Sequence, residues 1–168
     1  GSLGVDAPVT NDLVVDGGDI ALNCPVTGCI LSAGGDVTIT GDVANTVRVA
    51  GGNIIIDGKI ARDLIITGGS ITVTKNASIG GDLVFGGGEL LLQGPVAGKI
   101  LARGGDITID SAVGKNVDAG VGRLTLGPEA NIAGNLVYAS AEKAVKQDGS
   151  IVGGTTNFHY VPKEKPVD

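Results

Sequence analysis

Aromatic side chains are almost absent: two Phe, two Tyr and no Trp in 168 residues. A surface that reads nucleic acid needs a basic stripe with interleaved aromatics. Here Lys and Arg are scattered singly and the formal net charge is −6, so no nucleic-acid partner is expected. No apolar run approaches the roughly 20 residues of a membrane-spanning helix, which argues against membrane insertion by this fragment. No secretory leader is visible, and Gly1-Ser2 reads as an expression scar standing where the natural start would be. Histidine occurs once, as His159, and cysteine twice, as Cys24 and Cys29. Two cysteines without a companion Cys or His make no zinc site, and no metal or cofactor is expected.

Glycine, by contrast, is abundant at 30 residues, and it recurs at fixed offsets instead of filling a disordered tract. Residues 43–59 read as an apolar run, a Gly-Gly pair and a second apolar run, and residues 96–112 repeat the phrase. Val9, Val26, Val43, Ile60, Ile79, Val96, Val113 and Ile132 open eight copies, and Ile151 opens a partial ninth. The spacing is 17 residues, with two-residue insertions in the copies opened by Ile60, Val113 and Ile132. Counting the opening residue as one, apolar side chains fall at offsets one, five, seven, twelve and fourteen. Leu64, Ile66, Ile71 and Val73 show this in the fourth copy. Spacing by two places them on one face of a strand.

A fixed period near 20 residues with strand alternation inside each unit predicts an all-β fold. It is a single-stranded parallel β-helix, or β-solenoid, of about eight coils, triangular or flattened. Residues 1–8 would be scar and lead-in, 9–161 the solenoid, and 162–168 a charged linker. One unit cannot fold alone. Five buried aliphatic side chains contribute roughly 1.5–3 kcal/mol each, while ordering the backbone costs about 1–2 kcal/mol per residue. Stacking must supply the rest.

The pairs Gly17-Gly18, Gly34-Gly35, Gly51-Gly52, Gly68-Gly69, Gly87-Gly88 and Gly104-Gly105 would form a stacked corner, with positive φ and no room for side chains. From Val121 onward the pair decays. Tyr138, Phe158 and Tyr160 gather near the C-terminal end, where an irregular cap is expected to cover the exposed edge.

Chemistry is sparse. Cys24 and Cys29 flank one corner and could close a small disulfide, which would favour an oxidising, exported location; free thiols are the alternative. Asp19, Asp36, Asn53, Ser70, Glu89 and Asp106 follow the glycine pairs and read as solvated turn residues. The outward pairs Thr38/Thr40 and Thr72/Thr74 suggest the flat threonine array of an ice-binding solenoid, but Ile55 and Leu91 break it. His159 falls in the tail. Arg48, Arg62 and Arg103 lie in different coils and form no convergent site, so no catalytic residue is assigned and the chain is not expected to be an enzyme.

The phrases Gly81-Asp82-Leu83 and Gly104-Gly105-Asp106-Ile107-Thr108-Ile109 make the repeat, from Val9 to about Ile151, resemble the bactofilin-like polymer-forming cytoskeletal proteins. The stretch Ala133–Tyr138 is similar to the last coil of their envelope-associated relatives, in which transmembrane helices follow the solenoid. The resemblance implies a scaffold in cell shape or the cell envelope that self-associates end to end. The partners would be the chain itself or envelope components. Leu13 and Val15 at one terminal edge, and Leu136 and Tyr138 at the other, would make the contacts by β-augmentation. An exported, envelope or surface location is expected, with the cytoplasm as the alternative. The rival function is an exported binding or adhesion module that presents a flat face to carbohydrate or ice.

Overall fold

Val, Ile and Leu alternate with polar or small residues, so each strand presents one aliphatic face that must be covered. In the computed structural model, which describes residues 1–163, the cover is the same chain one coil further on. The strands are β1 (Ser2–Val5), β2 (Leu13–Leu22), β3 (Ile30–Ile39), β4 (Val47–Ile56), β5 (Lys59–Ile60), β6 (Leu64–Val73), β7 (Ser78–Ile79) and β8 (Leu83–Leu92). There follow β9 (Ile100–Ile109), β10 (Ala112–Val113), β11 (Val117–Leu126), β12 (Asn131–Ile132), β13 (Leu136–Ser140), β14 (Val145–Lys146), β15 (Ile151–Val152) and β16 (Thr156–Tyr160). Every pairing is parallel, and β2, β3, β4, β6, β8, β9, β11, β13 and β16 stack in chain order. The result is a parallel β-solenoid of about nine turns, on the order of 40 Å tall at standard strand spacing.

Each coil has three sides. The first half of a long strand (Leu13–Asp16 and its equivalents) makes side one, and the second half (Asp19–Leu22 and its equivalents) makes side two. Side three is a narrow ladder through Val9, Val26, Val43 and Ile60, and further up through Ile79, Val96, Val113 and Ile132. Val47, Leu64, Leu83, Ile100, Val117 and Leu136 point into one axial column, each at most 1% exposed. They share it with Ile56, Val73 and Leu92 from side two.

The glycine pairs turn the chain by a route other than the expected one. The strand runs through them unbroken, but inward parity switches: in β2, Val15 and Ile20 are buried while Gly18 and Asp19 both face solvent. Among these pairs only Gly87 has a positive φ, 149°. Glycine is required by stacking instead. A Cβ on Gly34, Gly51, Gly68 or Gly104 would sit 2.5–2.8 Å from the carbonyl oxygen of the glycine one coil below. The second glycine of a pair is less confined, with 3.0 Å at Gly52 and Gly69.

The insertions fall at a single corner, between sides two and three. Turns at Lys75-Asn76, Pro128-Glu129 and Asp148-Gly149 absorb them. The amide of Ala77 donates to the carbonyl of Thr74 (3.1 Å), and Ala130 to Gly127 and Ser150 to Gln147 repeat the closure. Sides one and two therefore keep their register up to β11; in the eighth coil one further residue enters between them, since side one pairs Val117 with Leu136 whereas side two pairs Thr125 with Val145.

The two ends depart from expectation. The segment read as a lead-in contains β1, which pairs with Asp19–Leu22 and starts the ladder at Ser2. At the other end Ile132 pairs with Val152, so Val152 and not Ile151 opens the ninth coil. Ile151 points outward, 54% exposed. Beyond it the chain is no irregular cap, because β16 continues side one and carries His159 in register with Ala139. Of the expected linker only Pro162 and Lys163 are described; residues 164–168 lie outside the described residues.

Candidate interaction surfaces

A polar column that composition alone did not reveal ties the coils together. At the fourth position of the coil stand Asp12, Asp63, Asp82, Asn116 and Asn135. Each accepts, through its side-chain Oδ1, the backbone N–H of the equivalent residue one coil on: Cys29, Asp82, Lys99, Asn135 and Thr155, at 2.8–2.9 Å. A charge-assisted bond to a backbone amide is among the stronger ones available. These Asp and Asn side chains are structural staples, charge-assisted where the residue is Asp. Their signal was the Asx recurrence at one offset, with a glycine one coil on (Gly28 over Asp12, Gly81 over Asp63, Gly98 over Asp82) whose Cβ would collide with the same Oδ1.

Side one is the apolar face. Its outward positions include Val14 (72% exposed), Leu31 (52%) and Leu101 (39%), with a column of mostly small residues such as Ala33, Ala50, Gly86 and Gly120 beside them. Arg103 lies across it, its Nη1 3.3 Å from Oδ1 of Asp118.

Side two is polar. Thr38, Thr72, Thr108 and Thr125 share one outward column with Ile55 and Leu91 interleaved. The residues after the glycine pairs form its edge, where Asn53 donates to Asp36 (2.8 Å) and Ser2 to Asp19 (3.4 Å). Asp106 is followed in that column by Arg123. Here a shallow recess of about 480 Å³ is lined by Glu89, Asp106, Arg123 and three threonines. Among the described residues no three His, Cys, Asp or Glu side chains converge as metal ligands.

Side three bears a long groove of about 900 Å³, floored by Ala44, Ala61, Gly80, Ala97, Gly114 and Ala133. Its shape follows from the small residue at that offset in successive coils.

Several expected site residues must be reassigned. Cys24 and Cys29 are free thiols. Cys24 is buried in the aliphatic core, Cys29 is half-exposed at the next corner, and side three with Val26 runs between them. Leu136 and Tyr138 are not edge contacts, being 0% and 4% exposed beneath Thr156 and Phe158 of β16. Tyr138 instead fastens the last coils: its ring lies 5.0 Å from that of Phe158, and its hydroxyl accepts the N–H of Ala144 at 2.9 Å. Leu13 and Val15 do lie on a strand segment with no partner below it among the described residues, although Val15 is only 5% exposed.

Residues 22–160 match the β-solenoid domain of Flagellar Assembly Protein A, FapA. The chain belongs to that family. No curated protein and no solved structure matches it. FapA membership supports the broad expectation, a solenoid with a structural role; the finer resemblance to bactofilins does not come with it. No helix among the described residues is long and apolar enough to cross a membrane.

Proposed function

We propose that this FapA-type solenoid is a rigid, non-catalytic rod in flagellar assembly, holding whatever binds its sides in fixed register. The observation that carries the reading is the unbroken aliphatic column from Val47 to Leu136, which makes the domain one continuous stiff body. The three sides differ in chemistry while sharing that core, as suits a scaffold with more than one contact. In this reading the rod works at the cell envelope, on its reducing, cytoplasmic side. The free thiols of Cys24 and Cys29 favour that side over an exported one. End-to-end growth would use Leu13–Asp16 at one end and β16 at the other, because Leu136 and Tyr138 are interior.

Complementation of a strain lacking the gene tests this. Replacing Glu89, Asp106 and Arg123 together by alanine leaves flagellation intact, since the polar recess performs no reaction. Replacing Leu64 by Asp breaks the column and abolishes flagellation. Loss of flagella in the recess variant with an unchanged β-sheet spectrum would shift the function to chemistry at that site. Normal flagella with a broken column would remove the scaffold reading altogether.

A further inference from the structure

From coil one to coil eight, the outward column of side one reads Val14, Leu31, Arg48, Ile65, Val84, Leu101, Asp118 and Val137. The column beside it reads Asp16, Ala33, Ala50, Thr67, Gly86, Arg103, Gly120, Ala139 and, in coil nine, His159. Exposed Val14, Leu31 and Leu101 with half-buried Ile65, Val84 and Val137 make this a largely aliphatic outward column interrupted by Arg48 and Asp118, as a contact face would be, and the low neighbouring column lets a flat partner approach the sheet.

The charges identify the partner. Arg48 stands two coils before Val84, and Asp118 stands two coils after it. Consider a second rod turned end for end about an axis that passes Val84 and lies in the plane of the side. Each column then faces its own copy. Arg48 meets the partner's Asp118, Ile65 meets the partner's Leu101, Leu31 meets the partner's Val137, and Val84 meets itself. In the second column Asp16 faces the partner's His159, and Arg103 faces the partner's Thr67. No like charges are opposed. Slipping by one coil would press Arg48 and Asp118 onto aliphatic side chains, leaving Arg48 buried without a carboxylate and Asp118 with Arg103 alone. A parallel arrangement would set Arg48 against the partner's Ala50. The existing pair of Arg103 with Asp118 is exposed on both sides and uses only Oδ1, so the carboxylate has a second oxygen to offer.

We propose that side one is an isologous, antiparallel dimer face whose two-fold axis passes Val84 and whose register is set by Arg48 and Asp118. The face is four residues wide and eight strands tall, roughly 13 Å by 38 Å at standard spacings. Two such faces bury on the order of 1,000 Å², the lower bound for specific association, so a dimer in the micromolar range is expected.

Sedimentation equilibrium of the chain across micromolar to millimolar concentrations reads this directly. The unaltered chain should pass from monomer to dimer and stop there. Val84→Lys, at an outward, half-buried position, should raise the dissociation constant at least tenfold with the β-sheet spectrum unchanged. R48D alone and D118R alone should each be monomeric, because each sets like charges opposite one another in its own homodimer. An equimolar mixture of the two should dimerise, since every carboxylate then faces a guanidinium. A chain that stays monomeric throughout, open-ended oligomers that survive Val84→Lys, or a mixture no more associated than its components would each overturn the proposal.

Discussion

Between Val43 and Ala112 the coils are held by what they share with their neighbours, and beyond Val121, although the staple recurs at Asn135, increasingly by what is peculiar to each. In the regular coils the glycine pair repeats, carbonyl over glycine, and Asp63 and Asp82 hand an oxygen to the next amide. In the last coils Val121 occupies the place of the first glycine and is 9% exposed. The chain then leaves the pattern at Ala141–Ala144 and is recaptured by individual side chains. Ser140 Oγ donates to the Gly122 carbonyl and accepts the Glu142 amide, while Tyr138 takes that of Ala144. Repetition gives many equal, modest contacts, so a defect anywhere in it is costly through sterics. An end depends on a few unequal bonds, so its defects are local.

Five substitutions, the first two taken as a pair, would break or sharpen that contrast. The largest effect is expected at Gly51→Val, because the new Cβ lies 2.7 Å from a backbone carbonyl that cannot move without shifting a whole coil. The loss should be about 3 kcal/mol, at the upper end of overpacking, and calorimetry should show a midpoint lowered by roughly 10 °C. Gly52→Val, where the clearance is 3.0 Å, should lose less; an equal loss would mean the corner is not limited by that carbonyl. Next comes Val121→Gly, which restores the repeat in sequence and should nonetheless destabilise by about 2 kcal/mol, because a buried side chain is lost. A denaturant midpoint that rises would show that the repeat matters more than the filling. Third, Tyr138→Phe removes the acceptor for the Ala144 amide, costing about 1 kcal/mol. Hydrogen exchange should then quicken over residues 141–161 while β4, β6 and β8 stay protected; uniform acceleration would deny the end its local character. Smallest is Glu142→Gln. Its pairs with Arg123 (3.8 Å) and Lys163 (3.5 Å) are exposed, so the midpoint should move by less than the equivalent of about 0.5 kcal/mol.

The same division explains how much could be read from the amino-acid order. Wherever a coil repeats, one-dimensional spacing is enough: Val47, Leu64 and Leu83 had to face one axis once the 17-residue period was seen. Crowding above the glycine pairs followed as well. Their φ did not, because a bend can be made by a parity switch as readily as by a left-handed residue, and only backbone coordinates distinguish the two. Tyr138 and Leu136 were misplaced at an edge because β16 has weak alternation and follows a lengthened coil that hides its register. The staples at Asp12, Asp63 and Asp82 drew no reading from the sequence although the Asx recurs at one offset, since nothing in spacing shows which amide a carboxylate reaches. The surface columns of side one needed the ladder register as well, for the charges 70 residues apart belong to one face only after the coils are stacked.

Because strands lie across the rod, its ladder hydrogen bonds run along it, in series from coil to coil. A pull applied at the two termini is therefore resisted only by the outermost rung at any moment, so force would strip the domain one turn at a time. Each turn set free would lengthen the molecule by roughly 60 Å of extended chain, letting a stiff spacer become a compliant tether under load without losing the turns that remain.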